Sequence, residues 1–98
     1  MQTAKTILQQ LGGNRFVAMT GAKQFCGDND SLQFSLPQRF ARRGINKIKI
    51  VLNSSDLYNV HFYRLRKADC ELLAQVSNVY AEDLAGVIGK QTGLTVSL

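Results

Sequence analysis

Lys47-Ile48-Lys49-Ile50-Val51-Leu52-Asn53-Ser54-Ser55-Asp56-Leu57-Tyr58-Asn59-Val60-His61-Phe62-Tyr63-Arg64-Leu65-Arg66 is the stretch whose reading decides the fold. Ile48, Ile50 and Leu52 alternate with Lys47, Lys49 and Val51, the period of two of a half-buried strand. Asn53 to Asp56 is a run of turn formers. Beyond it, Val60 and Phe62 point one way while Asn59, His61, Tyr63 and Leu65 point the other. The stretch reads as strand, turn, strand, with one apolar face and one polar, basic face.

Upstream, Leu32, Phe34 and Leu36 alternate with Gln33 and Ser35, and Pro37 ends that strand because proline cannot donate to a ladder. Gln38 to Gly44 is a basic connector with Phe40 as its anchor. Gly21 to Asp30 reads as a loop, dense in turn formers at Gly27-Asp28-Asn29-Asp30. Arg15 to Thr20, apolar on both faces, is expected to be a covered strand. Ala4, Ile7, Leu8 and Leu11 form the apolar stripe of an opening helix, with Thr3 as its N-cap and Gly12-Gly13 as its stop.

Downstream, Lys67-Ala68-Asp69 is expected to be a tight turn into a strand from Cys70 to Val76. A second helix follows, capped by Ser77 or Asn78. Glu82 and Asp83 complement its positive end, Lys90 occupies its last turn and Gly93 stops it. Tyr80, Leu84, Val87 and Ile88 are its buried stripe. The order is helix, about five strands, helix, with hairpin-length links and no βαβ repeat. The expected class is α+β: an antiparallel sheet with an N-terminal and a C-terminal helix packed on one face. Ninety-eight residues make a single domain, 1–98.

The chain carries a net charge of +5, distributed unevenly. Eight of its twelve Lys and Arg residues fall between Arg39 and Lys67, where Asp56 is the only acid, so that window carries +7 and the rest −2. Such localised charge suits nucleic acid, an anionic membrane surface or an acidic protein. No apolar run approaches the roughly 18 residues of a membrane span. Met1-Gln2-Thr3-Ala4-Lys5 opens no signal peptide, so the chain reads as cytoplasmic, without membrane association. Cys26 and Cys70 are expected to be free thiols.

Catalysis finds no support. Nothing in the sequence sets a Ser or Cys beside His61. Asp28-Asn29-Asp30 lacks the later glutamate of a calcium loop, and Gly21-Ala22-Lys23 is followed by Gln24, where a phosphate loop needs Ser or Thr. One histidine and two distant cysteines make no zinc spacing. Neither a cofactor nor a metal is expected.

The strongest constellation is geometric. If the strands share one sheet, Gln33, Ser35, Lys47, Lys49, Asn59, His61 and Tyr63 lie together on its non-core face. Cations on such a face neutralise phosphates while rings stack bases. Arg39, Arg42, Arg43, Arg64, Arg66 and Lys67 extend the charge onto strand ends and loops. Arg64 has core-face parity, which puts it at its strand's end. The rival is a face open to water, whose alternating lysines guard against edge pairing.

Phe16-Val17-Ala18-Met19-Thr20-Gly21-Ala22-Lys23, Leu36-Pro37, Asp56-Leu57-Tyr58, Val79-Tyr80-Ala81 and Thr92-Gly93-Leu94 carry a resemblance over most of the chain after residue 10. In these segments the chain resembles a group of small, largely uncharacterised proteins encoded by bacteriophages and mobile elements. No activity is assigned to that group, so no functional residue carries over. The resemblance implies a phage-type product acting in a bacterial cytoplasm, where such proteins bind nucleic acid or block a host protein.

The expected function is a non-enzymatic nucleic-acid-binding protein that favours single strands or the phosphate backbone over base sequence. Lys47, Lys49, Arg42, Arg43, Arg64 and Arg66 would neutralise phosphates, and Tyr63 and His61 would stack. Neutralising about five phosphates gives a salt slope of roughly −3.5 to −4.5. The alternative is an inhibitor of a host protein, docking through Arg39-Phe40-Ala41-Arg42-Arg43; the third is a structural virion component. Oligomeric state stays open, with a homodimer allowed.

Overall fold

The computed structural model describes residues 2–27, 29–36, 44–67 and 69–93. Among the described residues there are three helices, α1 (Gln2–Leu11), α2 (Asn14–Thr20) and α3 (Leu84–Thr92), the last preceded by a 3-10 turn at Ala81–Asp83. Five strands, β1 (Lys23–Gly27), β2 (Ser31–Ser35), β3 (Lys47–Leu52), β4 (Tyr58–Leu65) and β5 (Cys70–Val79), pair antiparallel in sequence order. The architecture is α+β, as the alternation predicts.

Register explains the core. Leu32 pairs with Ile50 and Ile50 with Val60; Phe34 pairs with Ile48 and Ile48 with Phe62. These six side chains share one face and are at most 3% exposed. Ile7 and Leu11 of α1, Phe16 of α2, and Leu84 and Ile88 of α3 close over them in one cluster. Tyr58 joins them, and its hydroxyl donates to Gln10 Oε1 at 2.8 Å, tying β4 to α1. Burial pushes the Tyr58 phenol above its ordinary pKa, so it stays a neutral donor.

Several expectations are corrected. Arg15 to Thr20 is helical, not a strand. Gly13 (φ +58°) and Gly21 (φ +72°) bracket α2, and the Gly21 N–H bonds the Val17 carbonyl at 2.9 Å. Gly21 is in the left-handed helical conformation, and Gly13 also has a positive φ that residues with a side chain avoid. Phe16 is the anchor: its ring meets Phe34 edge-on, with centroids 5.6 Å apart. Within the expected loop from Gly21 to Asp30 lies β1, a strand with every residue exposed and a register shift between Lys23 and Cys26. At the N-terminus, α1 already includes Thr3, which is therefore not the cap.

At the other end, β5 runs three residues past Val76. Ser77 and Asn78 lie in the strand and cap nothing. Asn78 has φ +58°, at one of two register shifts along the β4–β5 ladder. Its N–H bonds Asn59 Oδ1 at 3.1 Å, and Asn53 Nδ2 donates to both Asn59 Oδ1 and Asn78 Oδ1. This asparagine cluster accommodates the bulge. Tyr80 is 57% exposed rather than part of the α3 stripe. The α3 stop is at Gly93 (φ +75°), whose N–H bonds the Gly89 carbonyl.

Asn46 holds the end of β4. Its side chain accepts from the Leu65 N–H at 2.7 Å and donates to the Leu65 carbonyl at 2.9 Å, while its own N–H bonds the Tyr63 carbonyl. It thereby satisfies both backbone groups of Leu65. Asn46→Ala leaves those groups without their partner and is expected to cost about 1–3 kcal/mol, read by urea unfolding. A loss below a few tenths would show that water replaces the amide without penalty.

Candidate nucleic-acid interface

The face of the sheet away from the helices is built by the same register, one residue out of step. Lys49 lies between Gln33 and His61, and His61 is followed across the sheet by Gln75. In the next row Lys47 lies between Ser35 and Tyr63, and Tyr63 faces Leu72. Lys23 pairs with Ser35 at the β1 end of that row, and Cys26 with Gln33 in the other. Directly opposed side chains in such a sheet have Cβ atoms about 4.5–5.5 Å apart. Lys47 and Lys49, alternate residues of one strand, are roughly 7 Å apart along it.

Sign makes this face distinctive. Lys23, Lys47 and Lys49 project from it, and among the described residues of the five strands no Asp or Glu does. The only carboxylate within a described strand, Glu71, pairs with Arg64 on the opposite face. β3 is the middle strand, so its two lysines sit at the centre of the face rather than at an edge.

His61 and Tyr63 are partly buried neighbours on β4. Their ring centroids are 6.2 Å apart at 85°, with the tyrosine hydroxyl 3.4 Å from His61 Nδ1. Partial burial, then the Lys49 charge, lowers the His61 pKa from its ordinary 6.5, so the free protein carries a neutral imidazole at pH 7. In the folded chain His61 therefore binds its proton more weakly than in the unfolded one. Stability from this group is present above pH 6.5 and declines as pH falls through 6.5 toward the lower folded value. An anion on the face reverses the effect by favouring imidazolium. Affinity for a phosphate backbone is thus expected to rise as pH drops from 7.5 to 5.5, and to lose that rise in His61→Gln. Anisotropy titrations across this range check it; a slope retained by His61→Gln would exclude His61 as its source.

The remaining charges are distributed elsewhere. Arg64 lies on the core-face side near the strand end, where Nη2 donates to Glu71 and Nε–H is buried with no partner among the described residues. A Cβ on Gly44 would come within 3.0 Å of its Cδ, so the left-handed glycine (φ +73°) makes room for this arginine. Gly44, Asn46, Arg64, Leu65, Arg66 and Lys67 line an open cleft of about 400 Å³. Arg66 and Lys67 are exposed at the β4–β5 turn, closed by Arg66 N–H to Asp69 carbonyl and Asp69 N–H to Arg66 carbonyl bonds. Arg39, Arg42 and Arg43 lie outside the described residues. Of the residues singled out from the sequence, the sheet brings together Lys47, Lys49, His61 and Tyr63; it sets Arg64 on the other face and Arg66 and Lys67 at one end. Lys23 and Leu72 were missed. Lys23 sits on a strand with no alternation, and Leu72 reaches this face only because the β4–β5 register slips between Phe62 and Tyr63.

Cys26 and Cys70 are exposed free thiols. No helix among the described residues is long and apolar enough to cross a membrane. No protein-family model matches the chain, and neither a curated protein nor a solved structure matches it.

Proposed function

We propose that the chain is a non-enzymatic protein that binds the backbone of a single-stranded nucleic acid on the sheet face away from the described helices. The observation that carries this reading is the juxtaposition of Lys47 with Tyr63 and of Lys49 with His61 at the centre of a face that bears no carboxylate among the described strands. Lysines there neutralise phosphates as point charges, and the Tyr63 ring offers a base a surface beside a cation. With one tyrosine and one imidazole the stacking contribution is small, so affinity comes mainly from counterion release and varies little with sequence. A duplex, stiff and with its bases stacked inside, meets this shallow face less well than a flexible strand. The resemblance to phage and mobile-element proteins would set the activity in a bacterial cytoplasm.

A shift assay with single- and double-stranded oligonucleotides at several salt concentrations tests it. The three lysines of the face alone give a slope near −2 for a single strand, at about 0.7 per phosphate, and cations beyond the sheet steepen it. Failure of every oligonucleotide to bind at low salt would end the proposal.

A second reading is favoured by Leu72, 50% exposed beside Tyr63. An aliphatic and an aromatic side chain flanked by lysines also suit an acidic host protein. Affinity capture from a bacterial lysate with and without nuclease separates the two: a stoichiometric protein retained after nuclease favours this reading, and loss of all partners favours nucleic acid.

A further inference from the structure

The two edges of the sheet differ. The β1 edge is five residues long, shifted in register after Lys23 and carrying a positive φ at Gln24 (+57°). Bulges occur along both edges, since the β4–β5 ladder shifts twice and Asn78 has φ +58°, so what sets β1 apart is its short length and its lysine, devices that keep an edge from pairing. The β5 edge is ten residues long, and between Cys70 and Val79 it has no Lys, Arg or Pro and a single charge, Glu71, which Arg64 engages. Two of the three large hydrophobic side chains exposed on the described surface, Leu72 and Tyr80, lie on or directly after it. Among the described residues β4 is its only strand partner.

The charges at its two ends say what pairs there. Arg66 and Lys67 precede β5, with Asp69 between them and the strand, leaving that end net positive. Glu82 and Asp83 follow it, both exposed on the 3-10 turn. Antiparallel pairing of β5 with a second copy of itself places the basic end of each copy against the acidic end of the other, twice. Parallel pairing would set like against like.

We propose that the chain forms a two-fold homodimer by antiparallel β5–β5 pairing centred near Gln75, the middle of the regular segment Ala74–Val76 between the two register shifts. Centred there, Cys70 falls opposite Tyr80, and the Arg66–Lys67 end of each copy lies toward the Glu82–Asp83 turn of the other. An isologous contact of this kind closes on itself and does not propagate. The two-fold axis runs perpendicular to the sheet, so both Lys47–Lys49 faces end on the same side of one ten-stranded sheet. Their central row then runs from Lys49 through His61 and Gln75 into Gln75, His61 and Lys49 of the other copy.

Sedimentation equilibrium of the full chain from about 1 μM to about 1 mM tests this without nucleic acid. Mass is expected to rise with concentration toward twice 10.9 kDa, and less so at high salt. Two charge variants decide the geometry. Arg66→Glu with Lys67→Glu makes both ends of β5 acidic, and Glu82→Lys with Asp83→Lys makes both basic. Each alone is expected to dimerise at least about tenfold more weakly than the parent, whereas an equimolar mixture of the two restores association as a heterodimer. All four residues are exposed, so both variants keep the parent's far-ultraviolet circular dichroism. A parent that stays monomeric throughout, or a mixture that associates no better than either variant alone, overturns the pairing.

Discussion

Lys47→Glu combined with Lys49→Glu is expected to weaken single-stranded oligonucleotide binding by about a hundredfold and to flatten its salt dependence by about 1.4 in slope, two phosphate contacts at about 0.7 each. The size of the effect follows from position. Among the described strands, the face away from the described helices holds Lys23, Lys47 and Lys49 and no carboxylate, so the double change turns the formal charge of those strands on this face from +3 to −1. Both side chains project from the middle strand away from the core, and their neighbours Ile48 and Ile50 keep β3 in place. Loss of binding would therefore be a surface effect, checked by an unchanged unfolding midpoint. Arg64→Gln is the control. That guanidinium is on the other face and engaged by Glu71, so affinity is expected to move by less than about threefold. If Arg64→Gln costs more than the lysine pair, the binding surface is on the wrong side of the sheet.

The second large effect concerns the core. Phe34→Ala is expected to remove about 3–5 kcal/mol of stability, enough to leave a domain of this size partly unfolded at room temperature. Phe34 is 1% exposed and touches two other rings, Phe16 of α2 edge-on at 5.6 Å and Phe25 of β1 tilted at 5.4 Å. It is the point at which α2 and the β1 edge are both fastened to the sheet. Its truncation loses transfer free energy, opens a cavity and removes the ring contacts of both elements at once. Urea unfolding followed by circular dichroism measures the cost. Phe25→Ala, at a ring already 38% exposed, is expected to cost less than half as much. Equal costs would mean that Phe34 is not the fastening point.

These two effects also mark what the sequence made legible. Leu32/Phe34, Ile48/Ile50 and Val60/Phe62 announced themselves by strict alternation, because each lies on a strand with one face buried and the other open. The same alternation placed Lys47, Lys49, His61 and Tyr63 together, since antiparallel hairpins with short turns leave little freedom of register. Arg15 to Thr20 misled because an apolar run of this length does not distinguish a strand from a short helix. What decides it is non-local: Phe34 receives Phe16, and two glycines with positive φ set the bounds of α2. β1 left no trace because a strand exposed at every residue has no pattern to read. The start of the last helix was placed too early because Ser77 and Asn78 look like caps. Asn78 instead spends its side chain and its left-handed backbone on the bulge beside Asn53 and Asn59. Bulges also decided the missed Leu72, since a one-residue slip moves a side chain to the other face. Composition flagged the basic window but not its division, which depends on which strand end turns Arg64 toward Glu71.

Backbone amide mapping of the isotope-labelled chain during titration with a short single-stranded oligonucleotide is the most direct test of the proposed binding and its place on the sheet. Shifts are expected to concentrate on β3 and β4 at Lys47, Lys49, His61 and Tyr63, with neighbours at Gln33, Ser35 and Leu72. Amides of α1 and α3 are expected to stay still. Shifts centred on the helices, or no shifts at any salt concentration, would contradict the proposal.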